Sequence, residues 1–373
     1  MSASPRLLAL DVFRGVTIAA MILVNNPGTW GAIYAPLEHA KWHGWTPTDL
    51  IFPFFLWIVG VAIVFALGGR VERGEPQAAV VRKILRRAAT LIAIGIGIGL
   101  FPEVFWAPGE TFAKLRFPGV LQRIGVCYAV ASILFLRCRP RALAWIGAVI
   151  LCVYWPLLAL TPVPGLGAAD LAVPAQSIAA WLDRSVFGPS HIWISAKVYD
   201  PEGILSTLPA IVTVLFGIAA GRIVRSDLPL EQRIARLMVR GFALASLGVV
   251  WDWFFPINKA LWTSSYVVFT AGLASCAFGV ALWVCDVLGR RRLAEPFRIY
   301  GVNAITVFVG SALLGRVLAK TSFGVDTRAF LYRNLCTSWL SGERASLCWA
   351  LLWVSGWFVV LRVMDRRGWR LRV

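Results

Sequence analysis

The sequence predicts an all-α, polytopic membrane protein, and three observations carry that reading. Hydrophobic residues make up 58% of the chain and charged residues only 15%. The mean hydropathy is +0.72, far above that of a soluble domain of this size. Apolar runs near bilayer-crossing length recur from residue 8 to residue 364, about ten in all. The basic residues, which give a net charge of +18, gather in short segments between those runs. That distribution orients a membrane protein and argues against nucleic acid as the partner.

Taken in order, the expected spans are 8–24, 50–67, 88–105, 120–136, 143–160, 204–222, 238–255, 266–288, 299–318 and 347–364. The first begins almost at once, and Asp11 and Arg14 interrupt any signal-peptide core, so no cleavable leader is expected. Six basic residues fill 70–87, three fill 137–141, five fill 222–240, four fill 290–298 and five fill 362–372. With Arg6 and Arg14 these hold 25 of the 37 Lys and Arg residues. All these segments then lie on one side, and the positive-inside rule makes that side cytoplasmic, with both termini inside. The run GIGIGLF (95–101) lies within an apolar span and reads as close helix packing, not a phosphate loop. Residues 161–206 form a long outer loop with a short helix expected near 176–184. The turn 254–265 mixes an amide, a lysine and tryptophan at a bilayer edge. Residues 319–346 are polar and aromatic. No internal repeat stands out, and the seven cysteines, without a C-x-x-C pair, mark neither a disulfide framework nor a zinc site. The whole of 1–373 reads as a single transmembrane domain organised around a helix–loop–helix unit at 8–67.

The loop of that unit, 25–49, carries two of the three histidines, His39 and His43, four residues apart. Two histidines without a third ligand make a poor metal site, so no metal is expected. Imidazole exchanges protons near neutral pH, and Asp49, Glu38 and Asn25 are at hand to orient a ring. Asp11 and Arg14 are three apart in the first turn of the first span, as suited to capping and snorkelling as to function. Arg123, at the mouth of the fourth span, is costly in hydrocarbon unless paired or hydrated and is expected to face a cavity. Arg116 fits an outward-snorkelling role better. Asp200 and Glu202 in YDPEG either cap the sixth span, with Pro201 in its first turn, or form an acidic patch for a cationic or polyol substrate. Asn258, Lys259 and Trp262 at an outer mouth suit a sugar ring, while Asn303, alone within a span, reads as glue between helices.

Several segments together resemble the transmembrane heparan-α-glucosaminide N-acetyltransferase family, its bacterial amino-sugar members included. They are ALDVFRGVTIAAMILVNN, EHAKWHGWTPTDLIFPFFLWIVG, RFPGVLQRIGVCY, YDPEGILSTLPAIV and NKALWTSSYV, in order from Asp11 to about Asn303. The resemblance implies transfer of acetyl from cytoplasmic acetyl-CoA to the amino group of a glucosamine beyond the membrane. The protein would lie in a bacterial inner (cytoplasmic) membrane. It implies that His39, in the context His39-Ala40-Lys41-Trp42, is the catalytic histidine and that Asn25 assists it. Asp11 and Asp49 fall on the family's two acids flanking the helix pair, and His43 takes a supporting part.

On this reading His39 acts as general base, or as carrier of the acetyl group, and Asn25 faces the developing oxyanion. Asp11, Arg14, Arg123 and the basic set Arg82, Lys83, Arg86 and Arg87 are assigned to acetyl-CoA. Trp42, Asp200, Glu202, Asn258, Lys259 and Trp262 are assigned to the acceptor. Since the first span begins near residue 8, a small amino sugar is expected rather than a long sulfated polysaccharide. The expected partners are acetyl-CoA, the amino sugar, the bilayer and, through an exposed apolar helix face, a second copy in a homodimer. A transporter or flippase for a sugar or lipid-linked sugar is the alternative, and a membrane-bound O-acyltransferase a third reading.

Overall fold

The computed structural model describes residues 7–319, 321–322 and 325–371. Arg6 and Arg372, both counted in the charge asymmetry, lie outside the described residues. In chain order the helices are α1 (Leu8–Asn25), α2 (Ile51–Glu72), α3 (Gln77–Leu100), α4 (Pro108–Ala113), α5 (Val120–Arg137), α6 (Pro140–Leu160) and α7 (Ile178–Phe187). They continue with α8 (Ile204–Val224), α9 (Leu230–Asp252), α10 (Ser264–Leu282), α11 (Arg291–Val302), α12 (Ala304–Leu318), α13 (Thr327–Tyr332) and α14 (Gly342–Arg366). The strand content among the described residues is one two-residue antiparallel pair, Thr321–Ser322 with Val325–Asp326. The chain is thus all-α and multi-pass, as hydrocarbon requires: a helix meets its own backbone hydrogen bonds where no water can.

Eight helices among the described residues are long and apolar enough to cross a membrane, or nine if α11 and α12 count as one bent span. The sequence reading put the number near ten. The difference is α3. Its apolar second half follows a first half bearing Arg82, Lys83, Arg86 and Arg87, and it ends at Leu100, short of the expected 105. The short helix expected near 176–184 is α7. Asp200 and Glu202 do not cap α8: it begins at Ile204, and Asp183 of α7 accepts the Ile204 N–H at 2.9 Å.

The described chain divides into two compact units. One holds the chain to His39, Thr46–Phe55 and everything from Val280 onward; the other holds Ala40–Trp45 and Leu56–Gly279. In the first, α1 and α11 meet backbone to backbone. A Cβ on Gly15 would lie 1.7 Å from the Phe297 carbonyl oxygen, and one on Gly301 would lie 1.8 Å from that of Asp11. Only glycine permits that approach. Ile18, Ile22, Ile299, Tyr300, Val307 and Leu361 close the core around this crossing. Just past it the helix breaks: α11 and α12 are bent by 68° at Asn303. Its buried Nδ2 donates to the Ile299 carbonyl at 3.0 Å, within its own element, so Asn303 does not join neighbouring helices by that bond.

In the second unit α3 lies along α5, and α8 packs on α5, α6 and α9. Two thirds (67%) of the apolar window of α8 is buried, against 22% for α9, so α8 is the central element there. Trp57 of α2 is fully buried edge-on to Phe278 of α10, with ring centroids 5.4 Å apart.

Candidate active site

Between α1 and α2 the first unit builds a compact hydrogen-bonded loop. Pro47–Leu50 forms a 3₁₀ turn leading directly into α2. Thr46, which precedes that turn, and Asp49 make a reciprocal cap: the Thr46 N–H donates to Asp49 Oδ2 at 3.1 Å, and the Asp49 N–H to the Thr46 carbonyl at 2.9 Å. Two hydroxyls tie the preceding strand of loop to this turn. Thr46 Oγ1 donates to the Glu38 carbonyl at 2.5 Å, and Thr48 Oγ1 to that of Pro36 at 3.2 Å. His39 is thereby set against Asp49, whose Oδ1 lies 2.7 Å from His39 Nδ1. The Asp49 side chain is 1% exposed and that of His39 is 49% exposed. A buried carboxylate accepting from Nδ1–H leaves the basic lone pair on Nε2. The pair therefore fixes the ring of a half-exposed histidine in the tautomer whose basic nitrogen is Nε2. Of the three groups expected to orient the histidine, Asp49 does so. Asn25 ends α1 as an exposed residue, and among the described residues its side chain has no hydrogen-bond partner.

His43 is built differently, in the second unit. Its Nδ1 lies 3.4 Å from Nδ2 of the buried Asn258, and its ring also bonds to the Leu171 carbonyl. Partial burial holds its pKa below the usual imidazole value. The neighbouring Gly44 N–H donates to the Ile257 carbonyl at 2.7 Å, and Trp42 Nε1 to the Leu171 carbonyl at 2.7 Å. His43 thus pins three loops together. Asn258 shapes its own turn as well, accepting from the Leu261 N–H at 2.9 Å. Trp262 is buried with its backbone at φ 52°, a strained conformation for so large a residue. Its Nε1 donates to Thr213 at 3.2 Å. The half-buried Trp42 and Tyr199 rings meet edge to face at 5.0 Å, and Trp193 stands 6.0 Å beyond Tyr199.

Asp200 and Glu202 share one partner, Arg116. Arg116 Nε donates to Asp200 Oδ2 at 2.8 Å and Nη2 to Oδ1 at 2.5 Å, while Nη2 also pairs with Glu202. Arg116 therefore does not snorkel away. Two carboxylates offset its partial burial and raise its pKa further above the guanidinium range. Arg123 is buried, as expected for a residue turned inside. Its Nη2 donates to the Gly203 carbonyl at 3.1 Å and to Ser206, and its guanidinium lies 5.1 Å from the Trp262 ring centre. Its Nε and Nη1 have no hydrogen-bond partner among the described residues. Lys259 is half-buried in the turn 254–265.

The four basic residues of α3 fall on two sides of the helix. Arg87 lies over the Tyr128 ring at 5.0 Å, and Lys83 is 3.9 Å from Glu75. Arg82 and Arg86 line a groove with Arg137 of α5. In the first unit Arg14 reaches Asp11 and the Gly301 carbonyl, both at 3.3 Å, the latter beside the break at Asn303. Among the described residues no group of three or more His, Cys, Asp or Glu side chains is placed to hold a metal.

A family model described as heparan-alpha-glucosaminide N-acetyltransferase, catalytic, matches residues 6–251, well over half of the chain. The chain belongs to that family. The human heparan-alpha-glucosaminide N-acetyltransferase is 32% identical over 359 residues, covering 82% of this chain and 52% of the human one. The mouse enzyme of the same name is 31% identical over 365 residues, covering 84% and 54%. The chain spans about half the length of the curated relatives it matches. The range matched to the N-acetyltransferase family holds His39, Asp49, Arg116, Arg123, Asp200 and Glu202.

Sequence reasoning missed Thr46, Thr48 and Asp183. The T-x-x-D spacing of Thr46 and Asp49 was a readable capping signal. Nothing local marks Asp183, whose partner is 21 residues away.

Proposed function

We propose that the protein moves an acetyl group from acetyl-CoA to the amino group of a glucosamine-type sugar on the periplasmic side of a bacterial cytoplasmic membrane. The observation that carries this reading is the His39–Asp49 pair, a half-exposed imidazole on a buried carboxylate. The sugar amine attacks the thioester carbonyl, a C–N bond forms, the C–S bond breaks, and the amine proton passes to His39 Nε2 and on to the leaving thiolate. Asp49 holds the tautomer and stabilises the imidazolium. An acetyl-imidazole relay would use the same nitrogen as nucleophile. Asn25, exposed at the end of α1, is the proposed donor to the oxyanion.

For the acceptor we assign Trp42, Asp200, Glu202, Asn258, Lys259 and Trp262. The Trp42 ring, backed by Tyr199, suits a sugar face, and Asp200 and Glu202 are assigned a positioning part through the Arg116 they share. For acetyl-CoA we assign Lys83 and Arg87, the latter over the Tyr128 ring, together with Asp11, Arg14 and Arg123. Arg82 and Arg86, grouped with them in the sequence reading, line a groove with Arg137.

The bent pair α11–α12 favours the alternative, since broken helices are common in transporters of sugars and other solutes. One assay separates the two. Purified protein given acetyl-CoA should release free CoA thiol when glucosamine is added, with N-acetylglucosamine formed in equal amount. A transporter or flippase releases none.

A further inference from the structure

Beside α3 runs a groove of about 760 Å³. Arg82 and Arg86, one turn apart on α3, project along it, and Arg137, the last residue of α5, borders it. All three are exposed, and among the described residues none of their side chains has a hydrogen-bond or ion-pair partner. The other basic residues of α3 are engaged elsewhere, Lys83 with Glu75 and Arg87 with Tyr128. Three guanidiniums sharing a groove with no acid in its lining repel one another, and an anion relieves that repulsion. Guanidinium pairs best with carboxylate or phosphate oxygens.

The remaining lining decides which anion. Ala78, Val81, Leu85 and Ala89 make an aliphatic floor along one stripe of α3, and Gln77 supplies the one amide. No aromatic ring is there to stack a purine, and no carboxylate or hydroxyl to meet a ribose. An acyl chain fits that floor better than an adenosine does. Both basic segments that frame the groove, 70–87 and 137–141, adjoin apolar helices, the usual place for a lipid headgroup.

We propose that this groove binds an anionic phospholipid, with its phosphate on Arg82, Arg86 and Arg137 and an acyl chain along Ala78, Val81, Leu85 and Ala89. The proposal does not depend on the acetyl-transfer reading. Native mass spectrometry of the full chain, exchanged into detergent with phosphatidylglycerol or phosphatidylcholine, tests it. Phosphatidylglycerol should be retained in preference by at least about tenfold, given the contribution expected of each interfacial basic residue. The triple variant R82Q/R86Q/R137Q should lose that preference. R290Q/R291Q/R292Q, which removes the same number of charges from a basic segment outside the groove, should keep it. Should the triple variant fail to insert, R137Q alone, at an exposed helix end, must still weaken retention severalfold. Unchanged retention in the arginine variants would overturn the proposal. So would displacement of phosphatidylglycerol by acetyl-CoA in proportion to its binding, which would make the groove a nucleotide site.

Discussion

Four residues separate His39 from His43, and their surroundings give them opposite tasks. His39 has one nitrogen on the buried Asp49 and a half-exposed ring, whereas His43 spends its bonds on Asn258 and Leu171. His39→Ala should therefore lower kcat by two to four orders of magnitude, the usual worth of a general base, with insertion intact. His43→Ala should act mainly on stability or KM, costing about tenfold or less in kcat. Asp49→Asn keeps the shape but changes what Nδ1 meets, so it should fall between the two in kcat and leave KM little altered. Steady-state kinetics on detergent-purified variants checks all three, and near-normal turnover in His39→Ala would remove this mechanism. His39 and Asp49 were both legible in the sequence, because proton chemistry draws on few residue types and a loop between two spans is short. Which acid oriented the ring was not legible from the residues alone. Glu38 adjoins His39 in sequence while Asp49 and Asn25 lie farther off, and the choice of Asp49 rests on the cap that Thr46 makes with it.

At the scale of elements, spans were readable because hydrocarbon tolerates little besides helix. Their interruptions were not. The 68° break at Asn303 has no proline at the bend to announce it, and the close approach at Gly15 and Gly301 depends on residues nearly 300 positions apart. The start of α8 belongs to the same class, since its cap comes from another helix. Burial first of all, and then the negative Asp200, raise the Asp183 carboxyl to about 6, while the Ile204 N–H and Arg123 pull the other way. The folded pKa lies above the unfolded one, so the native state binds the extra proton between the two values. Stability should therefore fall as pH rises from about 4 to 6 and then level off, by no more than about 3 kcal/mol. Asp183→Asn keeps an acceptor for Ile204 and should flatten this dependence, leaving the variant more stable than the parent at pH 8. Asp183→Ala removes the acceptor as well as the charge, so it should share the flat pH profile but be less stable than Asp183→Asn at every pH, by about 1 kcal/mol. Thermal melts across that range distinguish the cases. An unchanged pH profile in Asp183→Asn would show that the carboxyl titrates at its ordinary value.

For the whole molecule, charge distribution and chemistry make a joint prediction. With α3 counted as crossing, basic residues stand 25 to 12 in favour of the segments on the N-terminal side, and on that topology the charge rule predicts that this side is the cytoplasm. One span then carries the chain across, so the His39 loop opens on the far face. Acetyl-CoA is made and kept inside, and its phosphates do not cross hydrocarbon. The donor must then stay on the cytoplasmic side and extend its uncharged pantetheine arm through the protein toward His39. On the proposed function, acetyl crosses the membrane and CoA does not. In sealed vesicles of known orientation, labelled acetyl-CoA on the cytoplasmic face should yield N-acetylated sugar in the opposite compartment alone. The CoA thiol should reappear where the donor was added, in equal amount. Disrupting the seal should let donor and acceptor added from either side react, without changing the rate per enzyme at saturation. Product on the donor's side of a sealed vesicle would mean that the loop carrying His39 faces the cytoplasm, and the charge rule would have misassigned the chain.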